Sequence, residues 1–91
     1  MKINIEVVHF EDLNAIEAQG RRAIDQGDSV FDFSAVKKAD SAVLALLLQW
    51  LRRANQKGLQ PEVINLPEGM WSLAKLYGVR EIVRPYCKKS Q

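Results

Sequence analysis

The hydrophobic pattern of the first half changes from the two-residue repeat of a strand to the longer repeat of a helix. Apolar and polar side chains alternate near the N-terminus, which predicts a strand over residues 3–9 with one buried face. The spacing then favours an amphipathic helix over about residues 13–26, with Asp12 as its N-cap and Gly27 as its terminator. A short β-branched and aromatic run predicts a central strand at residues 29–33.

The second half is dominated by one long predicted helix. Neither Gly nor Pro occurs over residues 41–57, where good helix formers are frequent, and Gly58 follows as a C-terminal cap. A short strand is predicted at residues 63–66. Pro67 then opens another helix, which Gly78 ends.

The alternation of strands and helices predicts an α/β fold with parallel central strands. Residues 79–86 are predicted to form a short strand or a last helical turn, followed by a basic tail at residues 88–91. We therefore expect one domain over residues 1–87, with a mixed, mostly parallel β-sheet and about four helices. A functional site is expected where strands end, above all at the loop of residues 34–40.

The composition agrees with one folded domain. The 91 residues are 47% hydrophobic and 26% charged, a globular balance that is too apolar for a disordered chain. The longest apolar run is the seven residues 42–48, whereas a membrane span needs about 20 residues. With Cys87 as the only cysteine and no apolar signal region at the N-terminus, we expect a cytoplasmic protein without a membrane span of its own.

Charge is distributed unevenly along the chain. Residues 1–36 contain three basic and seven acidic residues, a net charge of −4, whereas residues 37–91 contain ten basic and four acidic residues, a net charge of +6. Such a division can indicate contact with nucleic acid, a membrane surface or an acidic protein, but solvated faces explain it more simply. A nucleic-acid partner is not expected, because the basic and aromatic candidates are confined to Arg80, Arg84, Tyr86, Lys88 and Lys89.

No catalytic set is evident in the sequence. His9 is the only histidine and has no neighbours at metal-ligand spacing, and no phosphate-binding glycine loop occurs. Cys87 is predicted to be a lone exposed thiol; the alternative is a reactive thiol whose pKa is lowered by Lys88 and Lys89 beside it. We therefore expect no catalytic residue, metal or cofactor, and no enzyme activity.

The long helix has two different faces. Its core stripe is predicted to contain Val43, Leu47, Trp50 and Ala54, and both Trp50 and Trp71 are expected to pack in the core. The opposite face combines polar residues with a flat, partly apolar patch on which another protein could lie closely, and it comprises Ser41, Ala45, Leu48, Gln49, Arg52, Asn55 and Gln56. The alternative is that Leu48 is half buried at the shoulder of the core stripe.

The beginning of this helix also has two interpretations. Asp40 or Ser41 is predicted to cap the helix by accepting a hydrogen bond from a free backbone N–H. Alternatively, this N-terminus is a recognition point at which a phosphate on Ser41 would change binding.

Two blocks of sequence resemble a known family. Residues 31–34 and 39–48, Phe-Asp-Phe-Ser and Ala-Asp-Ser-Ala-Val-Leu-Ala-Leu-Leu-Leu, resemble the core signature of STAS domains. Residues 72–79 and the pair Arg84-Pro85 are similar to the C-terminal segment of MlaB-type STAS subunits, which belong to Mla phospholipid ABC transporters. The resemblance covers about residues 30–86 and implies a single small STAS-like domain.

The resemblance also implies a function. It indicates a non-catalytic adaptor that binds the ATPase of a phospholipid ABC transporter, lies peripheral to the inner membrane through that complex, and supports outer-membrane lipid asymmetry. The partner-binding residues that we expect from the resemblance and the helix pattern are Asp40, Ser41, Ala42, Ala45, Leu48, Gln49 and Arg52.

The chain departs from the family pattern at three neighbouring positions. Ser41 stands where the transporter subunits carry a threonine, and Val43 replaces the usual glycine. STAS antagonists of anti-sigma factors are phosphorylated on a serine that corresponds to Ala42 here. An antagonist that binds an anti-sigma kinase is the alternative function, with Ser41 as its phosphorylation site.

Overall fold

The computed structural model describes residues 1–87, so the predicted tail at residues 88–91 lies outside the described part of the chain. Helices and strands alternate, and single-turn 3-10 helices occur at Phe10–Asp12 and Arg84–Tyr86. The remaining elements, in chain order, are α1 (Leu13–Asp25), β1 (Val30–Asp32), α2 (Ser41–Gln56), β2 (Glu62–Ile64), α3 (Glu68–Leu76) and α4 (Arg80–Val83). The predicted α/β fold class is confirmed.

The sheet is built from parallel pairings. Strand β1 pairs with β2 in the register Val30–Glu62, Phe31–Val63 and Asp32–Ile64. Single parallel bridges add Lys2 beside Asp32 and Cys87 beside Val63, so the N-terminal segment and Cys87 lie at opposite edges. No antiparallel pairing occurs within residues 1–87.

The continuous strand predicted at residues 3–9 is wrong in its extent. The Ile3 N–H donates to the Asp32 carbonyl, but the next pairing of this segment is with the loop after β1, where the Val8 N–H donates to the Lys38 carbonyl. The segment therefore forms only isolated bridges at Lys2 and Val7. Because β1 ends at Asp32, the N-terminal segment has no long strand beside which it could continue.

The helix boundaries follow the sequence signals closely, and α1 begins at Leu13 as predicted. Asp12 occupies the predicted N-cap position of α1, but its side chain makes no capping hydrogen bond, because its Oδ2 accepts one from the His9 N–H at 2.9 Å and closes the preceding 3-10 turn. Gly27 (φ 91°) and Gly58 (φ 77°) take the left-handed conformation just after α1 and α2, as the predicted terminators require. Of the two alternatives for residues 79–86, the helical one is correct.

The core lies between the sheet and the helices. Trp50, which is 2% exposed, stacks on Phe31 with ring centroids 5.4 Å apart. Its place in the core was predicted and is confirmed, whereas Trp71 is half-buried and packs against the edge of the core. The predicted core stripe of α2 is also confirmed, since its members are at most 2% exposed: Val43, Leu47, Trp50 and Ala54.

Candidate partner-binding surface

The loop of residues 34–40 is held against the rest of the domain by backbone hydrogen bonds. The Ser34 N–H donates to Asp32 Oδ1 at 2.8 Å, and this bond is the main reason why the pKa of Asp32 is lowered. Farther along, the Lys37 N–H donates to the Glu6 carbonyl at 2.7 Å. These hydrogen bonds therefore fix the position at which α2 begins.

Asp40 is the residue that caps α2. Its Oδ1 accepts a hydrogen bond from the Ala42 N–H at 2.9 Å, and its backbone is extended, as an N-cap requires. Ser41 is the first residue of the helix and is exposed. Of the two candidate caps that the sequence offered, Asp40 fills the role, and the Ser41 side chain faces outward.

The outer face of α2 carries the other predicted site residues. Ala45, Gln49 and Arg52 are exposed, and Ala42 is half-buried. Leu48 is half-buried and packs against the core, as its alternative interpretation predicted, and it also lines a surface groove. We call this surface, formed by Asp40, Ser41, Ala42, Ala45, Leu48, Gln49 and Arg52, the α2 face.

The groove, which we call the α2–α4 groove, lies between the C-terminal half of α2 and the segment from α4 to the last 3-10 turn. Its volume is about 610 Å³. Apolar side chains from both segments meet in it, and Ile82 among them is 56% exposed. Its lining consists of Leu48, Gln49, Leu51, Arg52, Asn55, Gln56, Ile82 and Tyr86. The α2 face and the groove thus share three residues.

The sequence did not single out Ile82, although a signal was present. Ile82 and Val83 are adjacent apolar residues, and in a helix adjacent side chains point about 100° apart. Val83 is fully buried, so Ile82 is turned away from the core. This signal could be used only if residues 79–86 were known to be helical, and the sequence left a strand and a helical turn open for them.

Three of the basic and aromatic candidates in the C-terminal part have partners within the domain. Arg80 and Arg84 both pair with Glu81, at 3.5 and 3.1 Å. The Tyr86 hydroxyl accepts a hydrogen bond from Asn55 Nδ2 at 2.9 Å, which holds its half-buried ring at α2. Lys88 and Lys89, the other two candidates, lie outside the described residues.

Cys87 differs from the exposed thiol that the sequence predicted. It is half-buried, and burial raises its pKa from 9.0 to about 11. Its Sγ donates to the Val83 carbonyl at 3.6 Å. Desolvation is the cause of this shift, and Lys88 and Lys89, on which the alternative depended, lie outside the described residues.

The described residues show no metal-binding group. No three His, Cys, Asp or Glu side chains come together among residues 1–87 in a way that could hold a metal ion. His9 is exposed, and its Nδ1 lies 3.6 Å from Asp12 Oδ2. Among the helices described, none is long and apolar enough to cross a membrane.

Comparison with known proteins identifies the family. A search of curated proteins gave no match. A family model described as "Mlab, STAS domain" matches residues 6–84, which is most of the chain. STAS domains are generally non-catalytic and serve as adaptors or regulators through contacts with other proteins. This chain belongs to the MlaB-like family of STAS domains.

Proposed function

We propose that this protein is an adaptor that binds the ATPase subunit of a phospholipid ABC transporter through the α2 face. The main support for the proposal is that this face combines small exposed residues with a half-buried leucine in a member of the MlaB-like family. Exposed Ser41 and Ala45 lie beside half-buried Leu48 on a helix whose opposite side is core. The interacting unit is the domain of residues 1–87, with residues 88–91 as a basic tail.

The chemistry of the α2 face suits close contact with another protein. Ser41 and Ala45 have short side chains, so a partner backbone or helix can approach α2 directly. Leu48 supplies apolar area that is not fully used by the core. Gln49 and Arg52 supply hydrogen-bond donors next to it, which fix the orientation of a partner.

In this role the protein carries out no reaction. It supports the assembly and activity of a membrane complex that keeps the lipid composition of the outer membrane asymmetric. Its place is the cytoplasm, peripheral to the inner membrane through the ATPase. The residues that act are those of the α2 face, and their action is binding.

A pair of matched variants tests the interface. Ala45 in α2 and Ala15 in α1 are both exposed helical alanines, so arginine is expected to leave the fold intact at either position. The tagged protein is co-purified with the ATPase subunit of the Mla-type transporter from the same cell. We expect Ala45→Arg to abolish the complex, because a long charged side chain separates the surfaces, and Ala15→Arg to retain it.

Two further variants examine the ends of the face. Leu48→Arg places a charge in the apolar contact, and Ser41→Glu places one at the start of α2; both are expected to abolish the complex. Circular dichroism of each variant separates lost binding from lost folding. A folded wild type that forms no complex, or an Ala45→Arg variant that binds as well as wild type, would contradict the proposal.

One observation favours a second candidate, the antagonist of an anti-sigma kinase. Because Asp40 caps α2, the exposed Ser41 hydroxyl is accessible to a kinase. The nearby Asp40 carboxylate opposes this function, since it would repel a phosphate on Ser41. Intact mass after incubation with ATP and the cognate kinase decides between them: this candidate requires a phosphate on the wild type and none on Ser41→Ala.

A further inference from the structure

We propose that the α2–α4 groove takes an apolar side chain, together with a neighbouring carboxylate, from an acidic segment of the same ATPase that covers the α2 face. The inference rests on the proposed function and adds the chemistry of the second contact. Three features of the groove support it: its apolar floor, its single charged residue within residues 1–87, Arg52, and its continuity with the α2 face.

The floor of the groove is apolar and is already formed. Ile82, which is 56% exposed, lines it together with Leu48 and Leu51. The hydrogen bond from Asn55 to the Tyr86 hydroxyl ties the last 3-10 turn to α2. Buried Val83 anchors α4 from below. A partner side chain would therefore enter a site that needs little ordering, which favours affinity.

The charge of the groove selects an anionic neighbour for that side chain. Arg52 lines the groove, and no acidic residue does. Four other arginines of the described chain have an ion pair within the domain: Arg21 with Glu17, Arg53 with Asp25, and Arg80 and Arg84 with the single carboxylate of Glu81. Arg22, which lies outside the groove, has none among residues 1–87. Arg52 has no ion pair within residues 1–87, so a partner carboxylate would be its counter-charge.

The position of the groove makes the ATPase its occupant. Leu48, Gln49 and Arg52 belong to both the α2 face and the groove. Ser41 and Arg52 are eleven residues apart on one helix, which corresponds to about 17 Å along its axis. A partner of ordinary interface size that covers Ser41 and Ala45 therefore reaches the groove without a second binding event.

The apolar contact is tested by two matched glutamate variants. Ile82 in the groove and Leu76 at the end of α3, which is 74% exposed and does not line the groove, are both exposed apolar residues. The affinity of each full-length variant for the purified Mla-type ATPase is measured by calorimetry. We expect Ile82→Glu to weaken binding by about tenfold or more and Leu76→Glu to leave it unchanged.

The charge is tested by reversal. We expect Arg52→Glu to weaken binding by about tenfold or more, because it places a carboxylate against a carboxylate. Arg22→Glu is the control, since Arg22 is an exposed arginine of α1 outside the groove. Added salt should weaken the wild-type complex more than the Arg52→Glu complex.

Each outcome has a defined meaning. If Ala45→Arg abolishes binding while Ile82→Glu and Arg52→Glu bind as wild type, the groove inference is overturned; the proposed binding of the ATPase by α2 then stands, without a contribution from Arg52. A folded wild type that does not bind the ATPase overturns both. Loss of binding in Ile82→Glu without any effect of Arg52→Glu overturns the acidic partner. A wild-type dimer that Ile82→Glu dissociates would show that a second copy of this chain occupies the groove, which also overturns the inference.

Discussion

At the scale of single residues, Gly20 is the one glycine within residues 1–87 that packs tightly against another side chain, the indole of Trp50. A Cβ atom placed at Gly20 would overlap the indole ring of Trp50. That ring is 2% exposed and stacked on Phe31, and its Nε1 is buried without a hydrogen-bond partner among the described residues. Trp50 therefore has little freedom to move, and the missing side chain of Gly20 is what lets α1 and α2 pack so closely.

Gly20→Ala is accordingly expected to destabilise the protein. Alanine favours the helical conformation over glycine by about 1 kcal/mol, but the steric overlap of its Cβ with Trp50 destabilises the folded state by more than that. We expect a net loss of about 1–3 kcal/mol in the free energy of unfolding, measured by urea denaturation.

Gly69→Ala is the matched control, because Gly69 also lies within a helix and has nothing within 4 Å of its added Cβ. It should raise the free energy of unfolding by about 0.5–1 kcal/mol. Equal effects of the two substitutions would show that the Gly20 contact is not a constraint.

At the scale of elements, an ion cluster joins the C-terminal ends of α1 and α2. Arg53 donates to Asp25 through Nε and Nη2 at 2.9–3.0 Å, and Lys57 Nζ lies 3.4 Å from the same carboxylate. The hydrogen bonds from Arg53 are the main reason why the pKa of Asp25 is lowered. The cluster is exposed, so it orients the two helices more than it stabilises them.

The cluster makes stability depend on pH in a defined direction. Because the pKa of Asp25 is lower in the folded than in the unfolded chain, its stabilising contribution is complete above the unfolded value of 3.8 and is lost as the pH falls through the lower folded value. We expect the urea midpoint to fall in acid, and to fall less for Asp25→Asn. The urea midpoint of this variant should still fall somewhat in acid, because the pKa values of Asp28 and Asp32 are also lowered in the folded protein. A decline of the same size in wild type and Asp25→Asn would exclude the cluster as its cause.

At the scale of the whole molecule, sequence signals predicted the fold wherever the cause was local. Gly27 and Gly58 ended helices, and Trp50 was buried, because backbone freedom and hydrophobic spacing act within a few residues. Contacts between distant segments were not predictable in the same way. Cys87 pairs with Val63 across 24 residues of chain, and Val7 pairs with Lys38 across 31.

The same division applies to the candidate site. The outer face of α2 could be derived from helical periodicity, because all its residues lie on one element. The groove could not, since it exists only where Ile82 and Tyr86 are brought beside α2 by the tertiary fold. A sequence pattern contains no information on the distance between two helices.

Because Cys87 pairs with Val63 at the edge of the sheet, its reactivity can report whether this edge unfolds cooperatively with the core. With its pKa raised from 9.0 to about 11, Cys87 has about 100-fold less thiolate near pH 8 than a thiol of ordinary pKa. We therefore expect iodoacetamide to react about 100-fold more slowly with the native protein than with the chain in 8 M urea, which serves as the internal control.

The urea dependence of this labelling decides how the edge of the sheet is connected to the core. If Cys87 belongs to one cooperative unit with Trp50, fast labelling and the tryptophan fluorescence change should share a midpoint, because both require global unfolding. Fast labelling at a lower urea concentration would show that the segment after α4 detaches first, which would also open one wall of the α2–α4 groove. The two midpoints are expected to coincide, because Val83, at the base of that segment, is fully buried in the same core as Trp50.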